Sequence, residues 1–184
     1  ARRLTGRSPD GAPVTVEYER LVLATGSQLY RPALPGLAEH GHSVDTYEDS
    51  ARLRAHLASL PTFHPGEGRL PAVAIGAGFT GLGAATELVG HLSRMVLGLE
   101  ERASVLLVEQ AEVVGPELGP GPRPTIEKAL EELGVEIRLG QVVREISSDG
   151  VLLGTGERIA ARTVVWTAGM RANALAVGLD VDHD

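Results

Sequence analysis

The chain has 184 residues, 43% of them hydrophobic, with 24 acidic side chains against 17 Lys and Arg, a formal net charge of −7 and no cysteine. The acidic balance, with no basic cluster to offset it, argues against a nucleic-acid partner, and the lack of cysteine removes disulfides, thiolate metal sites and a dithiol redox centre from this segment. No apolar run approaches the roughly 18 residues of a membrane-spanning helix. Ala1-Arg2-Arg3-Leu4 reads as mid-domain sequence rather than a signal peptide.

In chain order, residues 1 to 24 read as β structure. Ser8-Pro9-Asp10-Gly11 is a turn signal, and Val14-Thr15-Val16-Glu17-Tyr18 alternates as a half-buried strand would. Leu21-Val22-Leu23-Ala24 predicts a buried strand that halts at Thr25-Gly26, where either a tight turn or a close approach to the backbone fits. Tyr30 to Gly41, punctuated by Pro32, Pro35 and Gly36, predicts a loop and linker. Thr46-Tyr47-Glu48-Asp49 has capping-box spacing, and Leu53, Leu57 and Leu60 form one helical stripe stopped by Pro61.

Pro71 to Glu109 is the organising stretch. An apolar run, Ala72-Val73-Ala74-Ile75, breaks into Gly76-Ala77-Gly78-Phe79-Thr80-Gly81; a helical pattern follows, then Val105-Leu106-Leu107-Val108 and an acid, Glu109. Gly76 permits the tight turn out of the strand, Gly78 keeps side chains away from a pyrophosphate, and Gly81 lets the helix pack closely on the sheet. Phe79 and Thr80 open the helix, whose first amides and dipole face the phosphates. Glu109 can accept hydrogen bonds from an adenosine ribose, and with Gln110 and Ala111 offering no positive charge the pattern favours NAD(H) over NADP(H). The acid stands 109 − 81 = 28 positions beyond the last glycine, against a usual spacing of about 20. The polar segment Gly98 to Ala103 can absorb the difference. The helix should bury Leu82, Ala85, Val89 and Leu92 on one face.

Beyond a Gly/Pro loop at Pro116 to Pro124, Ile126, Ala129, Leu130 and Leu133 mark a helix closed by Gly134. Val135 to Leu139 alternates as a strand, Val142 to Leu153 predicts two short strands across Ser148-Asp149-Gly150, and Thr163-Val164-Val165-Trp166 is a buried strand ending in Thr167-Ala168-Gly169. The tail from Leu175 shows no closing element. His40 and His42 would share a face if extended, but no third ligand accompanies them, and no metal site is expected. His56, His64, His91 and His183 read as surface or capping residues, Trp166 as a core residue. No nucleophile elbow or phosphate loop ending in Lys-Ser/Thr occurs.

The order of these motifs resembles the two-dinucleotide-fold flavoproteins, the pyridine nucleotide-disulfide oxidoreductases. Tyr18 to Ser27 is similar to that family's Ala-Thr-Gly strand, Gly76 to Gly81 to the fingerprint of its NAD(H) domain, and Val164 to Ala172 to the branch of type II NADH dehydrogenases. That branch usually has a Glu two residues past the last glycine; here Gly83 stands there, while Glu87 matches the second acid of the pattern. No counterpart of the family's FAD fingerprint or of its Gly-Asp flavin motif is present, so the resemblance implies the middle of such an enzyme. Residues 1–45 would close the first FAD-domain lobe and linker, 46–168 would form the NAD(H) domain, and 169–184 would return toward the FAD domain.

The expected fold is a Rossmann-like, doubly wound α/β domain with a parallel sheet and a small antiparallel β crossover. The resemblance implies NADH over Gly76, Gly78, Phe79, Thr80 and Gly81, with Glu109 on the ribose, Ala168 and Gly169 beside the nicotinamide half, and Thr25 and Gly26 against a flavin. Hydride would pass from NADH to FAD and on to an acceptor such as quinone, with no catalytic acid or base from the protein. The chain alone is expected to bind NADH but not FAD. The parent would be cytoplasmic, peripheral on a membrane and homodimeric. A ferredoxin- or rubredoxin-reductase-like flavoprotein and a non-catalytic dinucleotide-sensing module are the alternatives.

Overall fold

A computed structural model describes residues 2–63, 68–95 and 103–177. Most of the expected segment Gly98 to Ala103 falls outside those residues, as do His64, His183 and the end of the tail. The elements are β1 (Arg3–Arg7), β2 (Pro13–Glu17), β3 (Ser27–Leu29), α1 (Leu37–His40), β4 (Gly41–His42) and α2 (Tyr47–Ser59). The central unit follows with β5 (Ala72–Ile75), α3 (Phe79–Met95), β6 (Val105–Val108), α4 (Arg123–Glu132) and β7 (Val135–Arg138). Then come β8 (Val143–Ser147), β9 (Gly150–Leu153), β10 (Arg158–Ala160), β11 (Thr163–Trp166), β12 (Met170–Ala172) and α5 (Ala174–Val177), the last a short helix not signalled in the sequence.

The chain divides into two compact units, residues 1–28 with 172–184, and residues 29–171. β4 pairs with β11, His42 opposite Val165, and so belongs to the second unit's sheet. In the first unit, β1 and β2 pair antiparallel from Arg3 opposite Glu17 to Arg7 opposite Pro13. Both strands are exposed throughout, not half-buried as the alternation of Val14 and Val16 suggests.

Leu21 to Gly26 is a further departure. It forms no strand and is largely exposed, with Val22 at 84%. An apolar run becomes a buried strand only when another strand pairs with it and a layer covers it, and none of the described strands pairs with this one.

The second unit is built on a five-stranded sheet in the order β4-β11-β5-β6-β7, parallel at every pairing. Period-two alternation sorts its central strands between two cores. Ala72, Ala74, Val105, Leu107 and Val165 face Leu53 and Leu57 of α2, Ala85, Leu88 and Leu92 of α3, and Leu130 of α4. Val73, Ile75, Leu106, Val108 and Val164 face Leu37 of α1 and Val143, Ile146, Val151 and Leu153 of the antiparallel sheet β10-β9-β8. Both faces are covered, which is why these strands read as unbroken apolar runs.

The helix ends follow their local chemistry. Thr46 caps α2 by accepting the Asp49 N–H at 3.0 Å. Gly134, at φ +73°, closes α4, which ends at Glu132, so Leu133 lies past the buried stripe and is 44% exposed. On α3 the buried set includes Leu88, while Leu82 and Val89 are only partly covered.

The histidines differ from expectation. His40 ends α1, so it shares no strand face with His42. His56 is not a simple surface residue: its ring lies 4.3 Å from that of His42, and its Nε2 is 3.1 Å from Thr163 Oγ1. Burial, together with the neighbouring charges of His56 and Arg52, pushes His42 down to about 4, and burial lowers His56 as well. Among the described residues no three metal-ligating side chains cluster, and no helix is long and apolar enough to cross a membrane.

Candidate functional site

The carboxyl ends of β5, β6 and β11 meet at a cleft of about 480 Å³ in the second unit. Crevices of open α/β sheets form at this edge because the strand ends diverge toward different helices. Three backbone bonds hold it together: Gly76 N–H donates to Val108 O at 2.8 Å, Thr167 N–H to Ile75 O at 2.9 Å, and Glu109 N–H to Arg138 O at 2.9 Å. The Thr167 hydroxyl adds bonds to Ile75 O at 2.8 Å and Gly76 O at 3.2 Å.

Each glycine of the turn is small for its own reason. Gly76 has φ +103°, a conformation that disfavours any side chain, and a Cβ there would come within 3.0 Å of the Ala168 backbone. At Gly81 a Cβ would overlap the Gly76 carbonyl and lie 2.7 Å from Thr167 Oγ1, so the missing side chain lets α3 sit on the strand ends. At Gly78 the nearest obstacle is not backbone but the tip of a side chain, Glu117 Oε1, at 2.6 Å from a built Cβ. That oxygen accepts the Phe79 N–H at 2.8 Å. A carboxylate therefore rests on the opening turn of α3, where free amides and the helix dipole favour negative charge.

Glu109 lines the cleft but is only 8% exposed, and both of its oxygens are engaged. Oε2 accepts from Ala77 N–H at 2.6 Å and Oε1 from Ala111 N–H at 2.8 Å. A carboxylate has about four lone-pair sites, so about two stay open for further donors. Glu109 thus also ties the glycine turn to the end of β6.

Of the residues singled out in the sequence, Gly76, Gly78, Phe79, Thr80, Glu109, Ala168 and Gly169 all line this cleft. Gly81 stands behind it as a packing contact. Thr25 and Gly26 belong to the other unit and are exposed; Gly26 has φ +68° and nothing within 4 Å of a built Cβ. Sequence reasoning missed Glu117, Gln141 and Met170. Glu117 sits on a short 3-10 turn, Pro116–Leu118, within what reads as a Gly/Pro loop. Trp166 also lines the cleft, its indole N–H donating to Tyr30 O and Ala168 O at 2.9 Å each. A tryptophan at the end of a parallel strand is a usable signal for such a position.

Comparison with known proteins bears on the family and the fold. An NADH dehydrogenase-like protein of Mycobacterium tuberculosis (strain CDC 1551) is 44% identical over 190 residues, covering 98% of this chain and 47% of that protein. The type II NADH:quinone oxidoreductase NdhA of M. tuberculosis H37Rv is 28% identical over 95% of this chain and 40% of its own length. Among solved structures, NDH2 of Plasmodium falciparum in complex with NADH has the same fold, with a TM-score of 0.73 at 14% identity over 95% of this chain and 39% of that one. The covalent putidaredoxin reductase–putidaredoxin complex gives a TM-score of 0.67 at 26% identity, over 98% and 44%. The chain spans less than half the length of each of these proteins. The sequence profile described as pyridine nucleotide-disulphide oxidoreductase matches residues 1–184, and the chain belongs to that family.

Proposed function

We propose that this chain is the NADH-binding portion of an FAD-dependent NADH oxidoreductase of the type II NADH dehydrogenase kind, with a quinone as acceptor. One observation carries the reading: a side-chain carboxylate already sits on the Phe79 amide above Gly78, in the seat a pyrophosphate would take, with Glu109 in the same cleft. The donors at that seat are those an anion needs, and the bare Gly78 leaves room for one.

In this reading the pyrophosphate replaces the Glu117 carboxylate on the α3 amides. The open lone pairs of Glu109 accept the two hydroxyls of the adenosine ribose. A 2′-phosphate in that place would meet the carboxylate's charge, which selects NADH over NADPH. Ala168 and Gly169 keep the far end of the cleft free of side chains for the nicotinamide, and Trp166 stiffens that rim through its two bonds. On the other unit, Leu21 to Gly26 leaves an open apolar backbone segment suited to a flat ring system. When bound, a flavin would supply the two-electron acceptor for the hydride and a route for electrons onward. The protein's own part is alignment and exclusion of water.

The names of two M. tuberculosis relatives, NADH dehydrogenase-like and NADH:quinone oxidoreductase, support this choice of donor and acceptor. A quinone is dissolved in lipid, so the reading carries with it a peripheral attachment of the whole enzyme to the cytoplasmic side of a membrane. A second reading, a ferredoxin-reductase-like enzyme, is favoured by the 32% identity to a probable ferredoxin reductase of Castellaniella defragrans, over 92% of this chain and 41% of that protein.

Trp166, the single tryptophan, lines the cleft and reports on it directly. Titration of the chain with NADH should quench its emission saturably, and NADPH should bind about tenfold more weakly, the cost of one unfavourable charge contact. Gly78→Val should abolish the quench while leaving the fold intact, since only the mobile tip of Glu117 stands in the way of the new side chain. An equal response to both nucleotides, or an undiminished one in Gly78→Val, would overturn the proposal.

A further inference from the structure

Glu117 is 38 residues from the amide it binds, so the bond joins two elements distant in sequence. The 3-10 turn that carries it is fixed at one end by Gly115 N–H donating to Ala77 O at 2.9 Å, and just before that by Arg123 Nε donating to Val114 O at 2.9 Å. Gly115 and Gly119 flank the turn with φ of +55° and +70°, which aims residue 117 back over the glycine turn. The Glu117 side chain makes the bond to α3, and it is exposed. It can therefore swing into water by side-chain rotation alone, with the backbone anchors intact.

We infer that Glu117 is an internal competitor for the phosphate seat: its carboxylate closes the Phe79 amide at the start of α3 in the free protein and must leave before a dinucleotide diphosphate can bind. The inference rests on the dinucleotide reading and deepens it, by assigning a residue that sets the affinity of that site. The physical reason is direct. Two anions cannot share the same amide, and a carboxylate that shares the fold has no translational entropy to lose when it binds. A lone phosphate, with one charged group to offer, competes poorly against it. A dinucleotide displaces it because ribose, adenine and nicotinamide contacts add to the phosphate contact. Glu117 thus acts as a filter against small anions.

The test uses the 184-residue chain and the isosteric variant Glu117→Gln, with Glu127→Gln on the exposed face of α4 as a control for net charge. NADH affinity is read by Trp166 quenching, and inorganic phosphate affinity by the 15N–1H shift of the Phe79 amide. Glu117→Gln should tighten NADH by roughly threefold to tenfold, the range expected for losing one exposed charge-assisted bond at a helix start. It should tighten phosphate by at least as much, and in the free variant the Phe79 resonance should move toward the position expected for a water-exposed amide. Glu127→Gln should change neither affinity by more than about twofold. If NADH binds the unaltered chain and Glu117→Gln binds it equally or more weakly, the competitor is refuted while the dinucleotide site stands. Failure of every variant to bind NADH would remove the site and the competitor together.

Discussion

Two glycines on one turn of α3 give opposite predictions. A methyl at Gly81 would overlap the Gly76 carbonyl and press on Thr167 Oγ1 at 2.7 Å. Both neighbours are pinned: Gly76 N–H is bonded to Val108 O, and the Thr167 hydroxyl to Ile75 O. Relief therefore requires the start of α3 to lift off the sheet, an overpacking cost of about 3 kcal/mol. The better helix propensity of Ala returns about 1 kcal/mol. The net loss for Gly81→Ala is about 2 kcal/mol, or a fall in Tm of about 4–8 °C for a chain of this size. Two residues on, Gly83 is exposed and a Cβ there meets nothing within 4 Å. Gly83→Ala gains the propensity term alone, a rise of about 2–4 °C. Differential scanning calorimetry on both variants decides the matter. A Gly81→Ala protein as stable as the parent would mean that close packing of helix on sheet is not why that glycine is there.

Glu109→Gln replaces one acceptor oxygen with a donor, so either the buried Ala77 amide or the half-buried Ala111 amide is left unbonded. The expected loss is about 2 kcal/mol, seen as a fall in Tm of about 4–8 °C with no ligand present; an unchanged melting temperature would show that the carboxylate only faces the cleft. His42 has its folded pKa pushed down to about 4, so the unfolded chain binds more protons between about pH 6.5 and 4. Stability should be full above pH 6.5 and fall as the pH drops through that window, by about 1–2 kcal/mol once solvent screening of the half-buried ring is allowed for. Burial lowers His56 too, so it contributes in the same sense over the same window, and His42→Asn should reduce but not abolish the slope of denaturant-derived stability against pH between 6.5 and 5. Asp49, whose pKa is lowered below 3.8, loses its contribution only below this range and does not mask it.

How much of this was legible in the sequence follows the range of the interactions concerned. The strand–glycine turn–helix unit is specified by residues within ten positions of one another, and Gly76, Gly78 and Gly81 stand where their local geometry requires. The parallel strands β5, β6 and β11 were legible because burial on both faces leaves an unbroken apolar run. The same rule misread Leu21 to Ala24, since composition records that a run can be buried and not whether a layer covers it. His42 and His56 were missed as a pair because nothing along the chain marks that a two-residue strand will bring them 4.3 Å apart.

The carboxylates mark the deeper limit. Both Glu109 and Glu117 were visible as acids, and only one sat at a spacing that suggested a role. In the fold both accept amide hydrogens of the same glycine turn, Glu109 from Ala77 and Glu117 from Phe79. Under the proposed reading their fates on binding nonetheless differ, and burial decides it. Glu109, buried and holding two amides, cannot leave without exposing both to an unpaired state, so a ligand must add to its existing bonds. Glu117, exposed and holding one amide, exchanges that bond for water at little cost, so a ligand can replace it. Under the proposed dinucleotide reading, a site firm at the ribose and open at the phosphates needs one acid of each kind. Which acid is which depends on the number of backbone donors each reaches, a property of the assembled loops that no spacing rule carries.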